Sequence, residues 1–178
     1  SEELSYTEML GQLQDAGNTV TVAHYLDLLD KAGMLCGIQK YDAKEVRRRK
    51  SSPRFMVYDT SLMTASSGIE KSRYLGEPDL RGHLVESAVG ARLLARASEE
   101  GLGVYWWREG TKEVDFVVSK GFDSLSAIEV KSGKEKGQSG MADFLSAHPS
   151  AKRIVVGGAA SGACGVEEFL KDEVELFY

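Results

Sequence analysis

Glu113-Val-Asp115-Phe-Val-Val118 and, after a short turn, Ile128-Glu-Val-Lys131 are the two stretches that decide how this chain reads. In a strand, alternate side chains share a face. The first stretch therefore places Glu113 and Asp115 on one side, with Val114, Phe116 and Val118 on the other. The second places Glu129 and Lys131 on one side, with Ile128 and Val130 opposite. If the two strands pair as neighbours, Asp115, Glu129 and Lys131 converge at the rim of a sheet. Two carboxylates and an ammonium there can hold a divalent cation and activate a water for attack on a phosphate.

Working outward, 178 residues allow one large domain or a small one followed by a medium one. The formal net charge of −5 gives no global basicity that would advertise nucleic acid. The run Arg47, Arg48, Arg49 and Lys50 is locally dense in cations, with Arg54 close behind. Cys36 and Cys164 stand far apart, without a paired-cysteine motif, so two free thiols in a reducing cytoplasm are expected. No stretch reaches the length of a membrane helix. The start, Ser-Glu-Glu, is no signal peptide, and its lack of Met suggests a fragment of a longer chain. No phosphate-binding Gly-x4-Gly-Lys loop occurs, so any ATP chemistry of a parent protein would lie outside these residues.

The periodicity predicts a helix over residues 5–16, and a second beginning near Thr21 as its cap and ending at Gly33. Strands are expected over Met34–Tyr41 and Arg54–Tyr58, with the basic stretch between them. Helix, helix and a hairpin with a basic tip describe a winged helix over residues 1–60. Residues 61–80, rich in Gly and Ser with few large apolar side chains, read as a linker. From 81 to 178 the order is a helix over Gly82–Ala97, three strands, a helix near Met141–Ala147, a strand over Arg153–Val156, a helix over Val166–Leu170 and a closing strand near Val174–Tyr178. That order defines a mixed α/β second domain.

Carboxylate oxygens suit magnesium or manganese better than zinc. Asp115 and Glu129 would ligate the metal, and Lys131 would orient the water or stabilise developing charge. Glu86 is the natural third carboxylate, because it shares a helix side with Gly82 and Gly90, where small residues permit close approach. The plain alternative is a set of solvated charges on an exposed sheet face. The basic run has two readings as well: a wing tip lying on a DNA backbone, or cations that keep an exposed loop soluble. Trp106 and Trp107 read as core and rim, with base stacking as the lesser reading. His24, His83 and His148 are scattered and form no hydrolytic triad.

Glu86, Asp115 and Glu129-Val-Lys131 together resemble the PD-(D/E)XK (restriction-endonuclease-like) nuclease superfamily. The longer strings Tyr105-Trp-Trp-Arg108, Glu113-Val-Asp-Phe116 and Ile128-Glu-Val-Lys-Ser-Gly133 are similar to a C-terminal domain that follows a P-loop ATPase in many bacterial and archaeal AAA-type proteins. Asn18 to Leu29 and Ser51 to Asp59 look like the winged-helix segment of that family, so the resemblance spans nearly the whole chain. It implies a mixed-sheet nuclease-like core with catalytic positions at Glu86, Asp115, Glu129 and Lys131. The first three would be metal ligands for Mg2+ or Mn2+. Gln138 would contact a phosphate or the attacking water. DNA and an N-terminal ATPase domain of the same parent chain are the implied partners, with a homo-oligomer admissible and no membrane. Val114 stands where the superfamily often has Pro. The family's own reaction is undefined, so two functions stay open: magnesium-dependent cleavage of DNA, or a non-catalytic DNA- or protein-binding module that regulates the ATPase.

Overall fold

β4 (Lys112–Lys120) lies near the middle of a mixed sheet, and the rest of the chain is arranged around it. The structure is a computed structural model and describes residues 5–12, 17–42, 52–121, 124–131, 140–159 and 161–178. Antiparallel partners flank β4: β3 (Gly103–Glu109) on one side and β5 (Ser124–Val130) on the other. β6 (Lys152–Val156) adds to β5 in parallel. On the other side, β1 (Leu35–Lys40) runs parallel to β3, and β2 (Arg54–Val57) pairs antiparallel with β1 at the edge. Among the described residues this gives six strands in the order β2-β1-β3-β4-β5-β6.

Helices α1 (Tyr6–Gln12) and α2 (Thr19–Lys31) precede the sheet. Asn18, rather than Thr21, caps α2: its side-chain oxygen accepts from the Val20 and Thr21 amides. α3 (Thr60–Ser67) and α4 (Lys71–Gly76) follow β2. The stretch read as a linker, 61–80, thus carries these helices and the first turn of α5. Its punctuating residues are helix ends: Gly68, with a φ of 63°, closes α3, which Asp59 caps by accepting from the Ser61 amide, and Pro78 opens the long helix α5 (Pro78–Glu100). α5 stops at Gly101, whose φ of 69° is a left-handed conformation that glycine adopts without steric cost.

The hairpin read as a wing is the edge of the same sheet that carries the acidic strands. Its apolar side chains share one core with the C-terminal half. Cys36, Ile38 and Met56 pack with Val89 and Leu93 of α5 and with Trp106, Phe116 and Ile128 of the sheet. The opposite face holds a second, smaller core, where Tyr41, Val114, Val117 and Ala127 meet Met141 and Phe144 of α6 (Met141–Ala147). The last helix, α7 (Val166–Leu170), anchors Phe169 under α5.

Val174–Tyr178 does not form the expected closing strand. Leu176 is buried there, and its carbonyl accepts from the Ser126 hydroxyl, while Lys152 donates to the carbonyls of Glu175 and Phe177. Side chains thus satisfy the tail's backbone where a ladder was expected. Among the described residues, no helix is long and apolar enough to cross a membrane.

Candidate acidic site

The site begins with a departure from regular pleating in β4. Tyr105 pairs with Val117, but Trp107 pairs with Val114, so Asp115 and Phe116 both lie opposite Trp106. This is a β-bulge, which leaves one extra residue on the bulged strand and re-aims side chains. Strict alternation over Glu113–Val118, as read from the sequence, therefore fails. Phe116 and Val118 enter the core under α5, whereas Val114 and Val117 both enter the core under α6. Asp115, next to Val114, falls on the α5 side together with Phe116.

α5 supplies the neighbour. Glu86 is 8% exposed, and its helix lies close to the sheet because Gly90, one turn on, is buried. A Cβ at Gly90 would collide with the Met56 methyl and come within 3.0 Å of Phe116 Cζ. The close approach expected at Gly90 is thus real, and Glu86 comes within electrostatic reach of Asp115. Burial, and then the Glu86 charge, push the Asp115 carboxyl up to about 7, against the bond its Oδ2 accepts from the Val130 amide at 2.8 Å.

Glu113 meets the opposite surroundings. Arg54 Nη2 lies 2.5 Å from its Oε1, and Arg108 Nη2 lies 2.7 Å from its Oε2. Arg54 is only 2% exposed and sits with its guanidinium 4.8 Å from the centre of the Trp106 ring. Arg54 Nε is buried without a hydrogen-bond partner among the described residues. Sequence reading named Arg54, Arg108 and Glu113 but gave none of them a role in the site. A signal was present for Arg54: it shares a strand phase with Met56, an arginine on the buried side of an edge strand.

On β5, Ile128 enters the core under α5 and Ala127 the core under α6, so alternation sets Glu129 on the face of Ala127. Lys131 Nζ lies 2.6 Å from Glu129 Oε1. The structure thus brings Glu86 together with Asp115, and Glu129 together with Lys131. Among the described residues, no three Asp, Glu, His or Cys side chains are grouped as a ready metal cage. Arg47, Arg48, Arg49, Lys50 and Gln138 lie outside the described residues.

The architecture is that of an α/β domain with a mixed six-stranded sheet among the described residues and a largely buried acidic pair between its long helix and the sheet. Residues 81–163 match a family described as a domain of unknown function, DUF4143, and residues 1–73 match a second, DUF8612. Neither a curated protein nor a solved structure matches the chain. Arg54 falls in the first matched segment by position, and Glu86, Asp115 and Glu113 in the second, so the charged network is built from both.

Proposed function

We propose that the chain is a nuclease-like module of the PD-(D/E)XK type that hydrolyses phosphodiester bonds of DNA with Mg2+ or Mn2+, joined in its parent protein to an AAA-type ATPase. The observation that carries this reading is the Glu86–Asp115 pair. Two carboxyl groups share a poorly solvated seam, and their mutual repulsion contributes to holding one of them near neutrality. Such a pair fits a hard divalent cation, which would relieve the repulsion and prefers oxygen donors.

Glu86 and Asp115 would hold the metal, whereas Glu129, expected from the sequence as the third ligand, stands on the other face of the sheet beside Lys131. The metal would polarise the phosphate and acidify a water. Lys131, already beside Glu129, would position that water or meet the charge that develops on the phosphate. The hairpin and α1–α2 are read as a winged-helix-derived module, with Arg47, Arg48, Arg49 and Lys50 on the DNA backbone and Gln138 near a phosphate.

The second reading, a non-catalytic regulatory module, is favoured by the charge pairing itself. Glu129 is compensated by Lys131, and Glu113 by two arginines, which is how structural charges are commonly kept. Calorimetric titration of Mg2+ and then Mn2+ at pH 8 separates the two. The nuclease reading expects micromolar-to-millimolar binding that Asp115→Ala and Glu86→Gln abolish, and metal-dependent DNA cleavage that Lys131→Met removes while leaving metal binding intact. Absence of metal binding even with DNA present would leave the regulatory reading.

A further inference from the structure

α1 and α2 stand apart from the rest of the chain in what they bury. Among the described residues, neither core of the sheet takes a side chain from them. The hairpin that follows gives Cys36, Ile38 and Met56 to one core and Tyr41 to the other. α1 has no buried residue among its seven, and of the thirteen in α2 Val22 alone is buried. Leu26 and Leu29, on the same side of the helix, are half-buried. The other side shows Val20, Tyr25 and Leu28 to solvent. Apolar packing supplies most helix stability in proteins, and here it is thin.

A polar contact adds to it. The Tyr58 hydroxyl, just past β2, donates to Asp30 Oδ1 in the last turn of α2 at 2.6 Å. The Cys36 thiol of β1 is hydrogen-bonded to the same hydroxyl. Burial pushes that thiol up to about 11, so it stays neutral and can donate to the phenol oxygen. One hydroxyl therefore ties the end of α2 to both strands of the hairpin. The Tyr58 side chain packs against the main core, so its end of the contact is fixed. Between α2 and β1 the chain turns at Gly33, whose φ is 67°. A Cβ there would meet nothing within 4 Å, so no neighbour braces the turn. Residues at the ends of elements are where hinges absorb changes in φ and ψ.

We infer that α1 and α2 form an arm that opens from the sheet as one unit about Gly33, and that the Tyr58–Asp30 bond is the latch that keeps it closed. α1 packs on α2, so the two move together. Elements with few buried apolar contacts are the ones that open below the free energy of global unfolding. Opening bares Val22, Leu26 and Leu29 and changes the surface that the chain presents. Both cores stay whole, because neither draws on the arm, and Glu86 stays with Asp115. The arm does not depend on the proposed chemistry of that pair.

The test is native-state hydrogen exchange of the whole chain, read by mass spectrometry on peptides from α2, β4 and β5. α2 is expected to exchange through an opening more frequent than the one that exposes β4 and β5, and to exchange faster as urea is added, because that opening exposes surface. Ile128→Val weakens the main core alone. It should raise exchange in β4 and β5 by about fivefold and leave α2 as it is, since the open arm keeps that core. Tyr58→Phe keeps the ring and removes the latch, and should raise exchange in α2 by about tenfold. An α2 that responds to Ile128→Val as β4 and β5 do belongs to the same cooperative unit, and one that ignores urea is only fraying; either result overturns the arm. Unchanged α2 exchange in Tyr58→Phe overturns the latch. Should Tyr58→Phe not fold, Asp30→Asn, at an exposed position, weakens the same bond: faster α2 exchange supports the latch, and unchanged exchange overturns it.

Discussion

Glu113 of the Arg54–Glu113–Arg108 cluster and Asp115 of the Glu86–Asp115 pair lie two residues apart on one strand, yet their electrostatics are opposite. Glu113 has a guanidinium on each oxygen, one of them almost fully buried against Trp106. Asp115 has a backbone amide and a second carboxyl group, and its pKa rises to about 7. Compensated charge holds a fold together, because removing one partner strands the other in a medium that solvates it poorly. Like charges held close in a poorly solvated seam cost stability, and strongly shifted carboxyl groups are found most often at functional sites. The comparison therefore ties the arginine cluster to stability and makes the acid pair the place where the proposed cation would act.

Breaking the compensated side should have the largest effect. Arg54→Met removes a 2%-exposed cation from Glu113, and urea unfolding should show a loss of about 3 kcal/mol, the range for one deleted partner of a buried pair. A loss of under about 1 kcal/mol would place this ion pair with ordinary surface bridges and void the contrast.

The seam between helix and sheet comes next. Gly90→Ala must displace Met56 or Phe116, or lift α5, at about 1–2 kcal/mol of overpacking. A lifted α5 also separates Glu86 from Asp115, so the Asp115 pKa, followed by carboxyl NMR, should fall towards its ordinary value. A destabilised variant with an unmoved pKa would show that burial alone, without Glu86, raises it.

The smallest effect has an unusual sign. Asp115 holds its proton more tightly when folded than when unfolded, so its contribution to stability is fully present below pH 4 and is lost as pH rises through about 7. Asp115→Asn keeps an acceptor for the Val130 amide and removes the charge. Its melting temperature at pH 8 should exceed the parent's by a few degrees, and the gap should close towards pH 4. A lower melting temperature at pH 8 would mean that the carboxylate is satisfied after all and would remove the case for a waiting cation.

Much of the frame was legible in the sequence because it is local. Valine-rich alternation marked β4 and β5, Gly90 marked the close side of α5, and Val166–Leu170 was read at its true bounds. The division at 61–80 rested on Gly, Ser and Pro, which end helices as readily as they make linkers. The face assignment within Glu113–Val118 rested on strict alternation, which one extra residue in β4 disrupts. Nothing local announces that residue, because the bulge exists only relative to the ladder of β3.

By itself, the sequence singled out the residues proposed to carry chemistry, the carboxyls of Glu86, Asp115 and Glu129 and the ammonium of Lys131, and determined the strands and helix that bear them. Only the tertiary structure decided their company. It joined β1 to β3, carried Arg54 onto Glu113 across 59 residues of chain, and left Asp115 facing Glu86. The physical reason is that periodicity is a property of neighbours in the chain, whereas charge compensation depends on which segments pack together and how much water they exclude.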